Sequence, residues 1–205
     1  VGAGGFEAEA DIFDTWATSS LTPQLAGGWQ RDPELWNLVA PFDLRPQGQD
    51  IIRTWLFSTM LRSALEDNRA PWSDAAISGF IVDPDRKKMS KSKGNVVTPA
   101  DVLAQHGSDA VRYWAASSRL GTDAAFDPQN PTQIKIGRRL AIKVLNAAKF
   151  VLSFPVTEGA EVTNAVDASM LATLDGVIAD ATKALEAFDH ARALEITEQF
   201  FWTFC

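Results

Sequence analysis

The chain has 205 residues, a formal net charge of −7 and one cysteine. This length suits one large or two modest domains, and the composition is that of an ordinary globular protein. The single Cys205 excludes an internal disulfide framework and a cysteine-rich zinc site, and no uncharged apolar run is long enough to cross a bilayer. Together with the lack of a signal-peptide core, these features predict a cytoplasmic location and no membrane partner.

The charge is unevenly distributed along the chain. Residues 1–50 carry eight acids and two bases, residues 51–153 carry fifteen bases and nine acids, and residues 154–205 carry nine acids and two bases. Because electrostatic fields in salt act over about 10 Å, a basic middle segment can present a positive face to phosphates even in an acidic chain.

The first half of the chain predicts alternating strands and helices. Two short segments are candidate strands, Asp11–Trp16 and Phe42–Pro46. A helix is predicted from about Ile51 to Glu66, because apolar residues recur there every four positions. The apolar run Ala75–Val82 predicts a buried strand, and Asp83–Arg86 predicts a turn. This order predicts a βαβ unit, and therefore a parallel sheet with a right-handed crossover.

The second half predicts a succession of helices. Thr98 and Pro99 have the chemistry of an N-cap and a first helical residue, and Gly107 ends that helix. Later helices are predicted to begin at Ser108, Thr132, Asp167 and Asp189. A boundary near residues 125–133 therefore divides an α/β part from an all-α part.

A basic loop follows the strand that ends at Val82. It contains the pentapeptide Lys88-Met89-Ser90-Lys91-Ser92. Small residues let such a loop move, and its ammonium groups can reach a polyphosphate as mobile point charges. Lys-Ser runs are more often plain solvated loops. The intact pentapeptide and its fitting neighbours favour a phosphate-binding interpretation here.

The pentapeptide resembles the signature loop of class I aminoacyl-tRNA synthetases, and the resemblance covers nearly the whole chain. It implies the second half of a Rossmann-type catalytic domain in residues 1–97, a junction in 98–130, and a truncated tRNA-binding helical bundle in 131–205. In such a loop Lys88 and Lys91 would neutralise the departing pyrophosphate of ATP. The resemblance implies ATP with Mg²⁺ as the substrate complex and no protein-bound metal. The remaining implied residues of the loop are Ser90 and Ser92 as phosphate or loop hydrogen-bonding groups, and Met89 as a packing residue beside ATP.

Two further segments match the nucleotide-binding elements of the family. Gly48 and Asp50 stand where the family contacts the ATP ribose, with Gln47 beside them. For an isolated Gly-x-Asp, a helix cap would be the ordinary explanation of Asp50. The segment just before the loop consists of Phe80, Ile81 and Val82. The resemblance implies that its backbone groups contact adenine, while core packing is the ordinary role of its side chains.

The segment from Asp14 to Ser20 resembles the corresponding element of valine-specific members of the family. The resemblance implies that Trp16 and Ile51 form walls of a pocket for L-valine, with the β-branched Ile51 excluding isoleucine by overpacking. Burial in the core is the ordinary alternative for both residues. Isoleucine- or leucine-specific relatives are the first alternative for the whole chain, and a non-catalytic nucleotide- or RNA-binding module is the second.

A basic helix face implies a surface for valine tRNA. Lys135, Arg139 and Lys143 recur every four positions, and no acid occurs from residue 131 to 153. A solvated helix face is the ordinary alternative. Arg112, in the junction, is expected either to contact RNA or to pair with an acid within the fold.

The chain ends are expected to be cut from a longer polypeptide, because the start is Gly-rich without Met and the end is an aromatic cluster. The family places a His-x-Gly-His motif in the first half of its catalytic domain and an editing domain before the element at Asp14. Neither occurs in this sequence. We therefore expect that the chain alone does not activate valine.

Overall fold

The computed structural model describes residues 4–5, 10–90, 92, 94–156 and 158–205. Its contacts divide into two compact units, residues 1–78 and residues 79–205. This division lies at a different place from the domain limits proposed at residues 97 and 130, which stay a prediction. No helix of the described part is long and apolar enough to span a membrane.

The first unit contains four α-helices and one two-stranded sheet among its described residues. In chain order these are α1 (Thr15–Ser19), α2 (Thr22–Ala26), α3 (Pro33–Val39), β1 (Phe42–Gly48), a 3₁₀ turn (Gln49–Ile51), a π-helical turn (Ile52–Leu56), α4 (Phe57–Asp67) and β2 (Trp72–Ser78). The strands β1 and β2 run parallel, with Phe42 opposite Trp72 and Gly48 opposite Ser78. The predicted parallel βαβ unit is therefore confirmed, although its helix begins with a 3₁₀ and a π turn.

Two tryptophans hold the helical connection on the sheet. Trp55, in the π turn, is 4% exposed and stacks on Trp72 of β2 with ring centroids 6.2 Å apart. The Arg45 guanidinium lies 3.0 Å from the centroid of the Trp55 ring, and partial burial lowers the pKa of Arg45. The Trp55 indole N–H donates to the Ser19 carbonyl at 2.7 Å, which fixes α1 against the same turn.

The candidate strand at Asp11–Trp16 is wrong. Residues 11–14 have no regular structure and α1 begins at Thr15. The Asp14 carboxylate accepts the Trp16 backbone N–H at 2.8 Å. The first backbone N–H groups of a helix have no partner within the helix, and an aspartate at the N-cap accepts one of them. This cap favours a helix here in spite of the β propensity of the segment.

The second unit begins at Gly79 and becomes wholly helical after β4 in its described part. Its elements are β3 (Ile81–Val82), α5 (Pro99–His106), α6 (Ser108–Ala116), β4 (Ala124–Ala125), α7 (Thr132–Val151), α8 (Ala165–Glu186) and α9 (His190–Phe204). The short strands β3 and β4 pair in parallel. A buried cluster of Ala110, Phe126 and Ile134 joins α6, α7 and the segment after β4.

The predicted buried strand from Ala75 to Val82 is only partly right. It is two strands, β2 and β3, separated at Gly79 and Phe80, and most of β2 is exposed in this chain. A Cβ at Gly79 would collide with the backbone carbonyl of Thr122. The chain therefore passes close to another backbone segment at this glycine, and the strand is interrupted there.

The helix boundaries are largely as predicted. Pro99 is the first residue of α5, Gly107 ends α5 with φ +82°, and Asp189 caps α9 by accepting the Arg192 N–H at 3.0 Å. The prediction for α8 is wrong by two residues, because the helix begins at Ala165 rather than at Asp167; Asn164 provides the N-cap and accepts the Val166 N–H at 2.8 Å.

Candidate active site

In the first unit, the residues predicted to bind ATP ribose lie at the carboxyl edge of the parallel sheet. Gly48 ends β1 and stands opposite Ser78, which ends β2. The Ser78 hydroxyl donates to the Gln47 carbonyl at 3.3 Å, and the Gln47 side chain is buried, with Oε1 lacking a partner among the described residues. Ligands of parallel sheets bind beyond this edge.

Asp50 lies directly beyond that edge and is exposed. A Cβ at position 48 would lie 2.7 Å from Asp50 Oδ1, so the missing side chain of Gly48 gives the carboxylate its place. Asp50 is not a helix cap. The N-cap position of the 3₁₀ turn is Gly48, and no side chain makes a capping hydrogen bond there. A carboxylate in this exposed position can accept hydrogen bonds from hydroxyl groups.

Trp16 lines an open cleft of about 480 Å³ formed by α1 and α4, together with Leu61, Arg62 and Leu65. Its side chain is 38% exposed, so it is not the buried core aromatic of the alternative interpretation. Arg62 Nε donates to the Ser20 hydroxyl at 3.0 Å and joins the two helices at the cleft. Ile51 is half-buried and is not among the cleft residues. A shared Trp16–Ile51 pocket stays a prediction.

In the second unit, the pentapeptide loop leaves β3 through a tight turn. The Asp83 carboxylate accepts the Lys87 N–H at 2.8 Å, while the Asp83 N–H donates to the Lys87 carbonyl at 2.9 Å. Arg86 takes φ +60° to close the turn. Val82 is 4% exposed and bridges to Lys88, which places the first lysine of the pentapeptide beside the end of the strand.

Asn95 holds the far side of this loop. Its Nδ2 donates to Asp83 Oδ2 at 2.9 Å, and its Oδ1 accepts the Ser90 N–H at 2.9 Å. The hydrogen bond from Asn95, and then that from the Lys87 N–H, hold the pKa of Asp83 below its ordinary value. Sequence reasoning did not select Asp83 or Asn95 as site residues. Only their positions in the sequence could have indicated a role, because Asp83 directly follows the strand and Asn95 directly follows Gly94.

The other loop residues are placed as follows. Lys88 Nζ lies 4.1 Å from the centroid of the Phe80 ring, and the hydroxyls of Ser90 and Ser92 lie 3.2 Å apart. Met89 is half-buried and packs on the core cluster of Ala110, Phe126 and Ile134, as a packing residue should. Lys91 lies outside the described residues.

The backbone of the predicted adenine segment is already largely bonded. The Phe80 N–H donates to Asp123 Oδ1 at 2.8 Å, and the carbonyls of Phe80 and Val82 accept N–H groups of residues 124 and 126 at 2.8 and 2.9 Å. The side chain of Ile81 is exposed. Adenine contacts from this segment would therefore use its remaining backbone groups.

Helix α7 exposes Lys135, Arg139 and Lys143. Arg139 lies 5.1 Å from the Trp202 ring of α9, so its charge is partly engaged within the fold. No ion pair joins these three bases, or the exposed Arg112, to an acid in the part of the chain that the structure describes. The pairing alternative for Arg112 therefore has no support there.

A polar clamp missed by sequence reasoning joins α6 to α9. The Tyr113 hydroxyl donates to Glu198 Oε2 at 2.6 Å and the Trp202 indole N–H donates to Glu198 Oε1 at 2.9 Å. No local pattern connects residues so distant in sequence. Among the described residues, no three His, Cys, Asp or Glu side chains gather into a set that could hold a metal ion.

Comparison with curated proteins gives closely similar relatives. The chain is 77% identical to the valine–tRNA ligase of Leifsonia xyli subsp. xyli over 99% of this chain and 24% of the relative. It is 64% identical to the valine–tRNA ligase of Thermobifida fusca over 98% of this chain and 23% of the relative. The chain therefore spans about a quarter of the length of the curated relatives it matches.

Solved structures share the fold at low sequence identity. The chain is similar to the LeuRS of Agrobacterium radiobacter K84, solved as a ternary complex with tRNA and LeuAMS, with a TM-score of 0.79, 20% identity, and coverage of 94% of this chain and 26% of that one. It is also similar to Mycobacterium tuberculosis methionyl-tRNA synthetase bound by methionyl-adenylate, with a TM-score of 0.63, 24% identity, and coverage of 92% and 39%.

A sequence profile of the family described as tRNA synthetases class I (I, L, M and V) matches residues 1–127, more than half of the chain. The same stretch contains the parallel sheet edge with Gly48 and Asp50, the cleft beside Trp16, and the pentapeptide loop after β3. The chain belongs to the class I tRNA synthetase family (I, L, M and V).

Proposed function

We propose that the full-length protein carrying this chain ligates L-valine to valine tRNA through a valyl-adenylate formed from ATP. The observation that carries this proposal is the 77% and 64% identity, over almost the whole chain, to relatives named valine–tRNA ligase. The pentapeptide loop and the carboxylate at the sheet edge supply side chains that suit this chemistry.

Adenylate formation displaces pyrophosphate from ATP by a carboxylate, and negative charge builds on the phosphorus and on the leaving group. A protein accelerates such a step mainly by positioning and by fixed or recruited positive charge. Lys88 and Lys91 provide that charge in this proposal, with Ser90 and Ser92 as hydrogen-bonding groups. Asp50 and Gly48 receive the ribose, with Gln47 beside them. Mg²⁺ enters with the phosphates of ATP as part of the substrate.

Lys88 has a resting position from which it can act. Its ammonium group lies over the Phe80 ring, an exposed arrangement that contributes about 0.5–1 kcal/mol. A charge-assisted hydrogen bond to a phosphate contributes about 1.5–3 kcal/mol. It is therefore favourable for the Lys88 ammonium group to leave the Phe80 ring and bind a phosphate when ATP is present.

The domain assignment belongs to the same proposal. Residues 1–97 form the second half of a Rossmann-type catalytic domain with the loop, residues 98–130 form a junction, and residues 131–205 begin a helical tRNA-binding bundle. The parallel pairs β1–β2 and β3–β4 and the helices α7–α9 are consistent with it. The other catalytic half and an editing domain would come from the rest of the full-length protein.

Valine selectivity in this proposal comes from Trp16 and the β-branched Ile51. Apolar walls discriminate by size, so isoleucine is excluded by overpacking. They reject threonine poorly, by roughly 10²-fold, a figure already known for valine-specific enzymes of this class. Valine tRNA is held in part by Lys135, Arg139 and Lys143, whose basic face carries no ion pair among the described residues.

Amino-acid-dependent ATP–pyrophosphate exchange by the full-length protein tests the function. We expect exchange with valine, weaker exchange with threonine, and much weaker exchange with isoleucine and leucine. Preference for isoleucine or leucine would replace the valine assignment with another member of the same family. Absence of exchange with every amino acid, in a folded full-length protein, would leave a nucleotide- or RNA-binding module instead.

A further inference from the structure

The pentapeptide loop is tied at two points by one side chain that sequence reasoning did not select. The Asn95 amide donates to the Asp83 carboxylate at 2.9 Å and accepts the Ser90 N–H at 2.9 Å. Asp83 lies at the end of β3, whereas Ser90 is the middle residue of the pentapeptide and precedes Lys91 in the chain. One amide thus connects a fixed strand end to the centre of the loop.

We infer that Asn95 and Asp83 are positioning residues for the pentapeptide loop, acting together as a link that orders it for adenylate formation. This inference rests on the proposed function for its catalytic part. The hydrogen bonds themselves are independent of any substrate, so the ordering of the loop can be measured separately from activity.

Both oxygens of Asp83 are committed in this arrangement. Oδ2 accepts from Asn95, and Oδ1 accepts the Lys87 N–H at 2.8 Å, so the carboxylate joins the turn before the loop to the residue after it. The Asn95 amide nitrogen donates to Asp83 Oδ2 and, at 3.5 Å, to the Lys88 carbonyl, and its oxygen accepts the Ser90 N–H. A side chain that can only donate, or only accept, cannot reproduce this pattern at position 95.

Loss of the link should act on the rate of chemistry more than on valine binding. Displacement of a catalytic group by about 1 Å can cost as much as 10²-fold in rate. Valine is proposed to bind beside Trp16 and Ile51, and neither residue belongs to the link. We therefore expect kcat for exchange to fall about tenfold or more while KM for valine stays within about twofold.

A reciprocal exchange of the two side chains gives a sharp test. In Asn95→Asp two carboxylates face each other, and in Asp83→Asn two amide donors compete for one oxygen of residue 83. In the double variant Asp83→Asn/Asn95→Asp, the new amide donates to the new carboxylate, the Lys87 N–H keeps an oxygen, and so does the Ser90 N–H. Charge is also conserved, so the hydrogen bond between residues 83 and 95 changes direction and only the long contact from residue 95 to the Lys88 carbonyl, 3.5 Å in the parent, is lost.

The experiment measures two quantities in the full-length protein: amide hydrogen exchange of the peptide covering residues 86–96, and valine-dependent ATP–pyrophosphate exchange. Asn37→Asp, at an exposed position of α3, is the control for an added charge. We expect each single variant to speed hydrogen exchange in this peptide and to lower kcat, and the double variant to return both to within about threefold of the parent.

Unchanged hydrogen exchange in both single variants would overturn the link. So would a double variant as impaired as the singles, because the pairing would then not be the cause. Loosened loops with an unchanged kcat would overturn the catalytic part alone. A parent protein without valine-dependent exchange would contradict the proposed function, and the hydrogen-exchange measurement would still decide whether the link exists.

Discussion

Tyr113 shows how a single side chain can acquire unusual properties through one long-range contact. Its hydroxyl donates to Glu198, which also accepts the Trp202 indole N–H, so α6 and α9 share one carboxylate. Partial burial, and then the hydrogen bond and negative charge of Glu198, raise the pKa of Tyr113 well above its ordinary value of about 10. Ionisation would place two negative groups against each other.

Because Tyr113 is the only tyrosine in the 205-residue chain, its titration can be followed without interference. We expect its tyrosinate ultraviolet absorbance to appear at a clearly higher pH in the folded chain than in the chain unfolded by urea. Glu198→Gln should bring the transition down towards the ordinary value, since it removes the charge and keeps an acceptor. A folded-state titration at the ordinary tyrosine pKa would contradict this.

The same shift predicts a pH dependence of stability. The raised pKa means that the folded chain keeps a proton which the unfolded chain loses above pH of about 10. The contribution of Tyr113 is therefore fully present below that pH, and the free energy of unfolding falls as pH rises above it. Urea unfolding at several alkaline pH values, with Tyr113→Phe as the control lacking this ionisation, measures the difference.

Helix packing in the second unit depends on a close approach at one glycine. A Cβ at Gly137 of α7 would lie 2.6 Å from atoms of the Tyr113 side chain on α6. By contrast, a Cβ at Gly176 of α8 would meet no atom within 4 Å. Both glycines lie inside helices, so the two positions separate the steric requirement from helix propensity.

We expect Gly137→Ala to lower the free energy of unfolding by about 1–3 kcal/mol, because the added methyl group overpacks the α6–α7 contact. Gly176→Ala should raise it by about 0.5–1 kcal/mol, since alanine favours the helix and nothing obstructs it. Urea denaturation of the two variants checks both signs. Stabilisation by Gly137→Ala would show that the helices do not approach as closely as described.

The elements that sequence reasoning found are those with repeating patterns or local caps. The period of apolar residues predicted the helix that ends in α4, and Asp189 predicted the start of α9. The failures came where a local hydrogen bond or a distant backbone decided the outcome. Asp14 caps a helix where a strand was predicted. The backbone of residue 122 lies close to Gly79, where one predicted strand is interrupted and becomes two.

Helix α7 should contact tRNA phosphates through its basic face. Lys135→Ala and Lys143→Ala are each expected to weaken tRNA binding by the full-length protein and to reduce the salt slope of log K by about one per lysine. Lys183→Ala on α8, an exposed lysine within the acidic segment, is the matched control. Equal losses in the control, or an unchanged salt slope, would indicate that this face is simply solvated.

At the scale of the whole molecule, each unit contains motifs that the sequence could identify only separately. The sequence predicted a strand ending at Val82 before the loop, and β3 ends there; it predicted the first strand to end at Pro46, whereas β1 continues to Gly48. It could not predict Asn95 binding both Asp83 and Ser90, because a side-chain link across a loop leaves no periodic pattern. Lys88 over Phe80 is likewise a tertiary detail.

The most direct test of the account is Lys91→Ala in the full-length protein, measured by single-turnover formation of valyl-adenylate alongside equilibrium binding of valine. Loss of one charge that acts in the transition state should slow adenylate formation by about 10²–10³-fold and leave valine affinity nearly unchanged. Lys183→Ala should match the parent protein in both. A Lys91→Ala variant that forms adenylate at the parental rate, or that loses valine affinity in proportion, would contradict the proposed role of the loop.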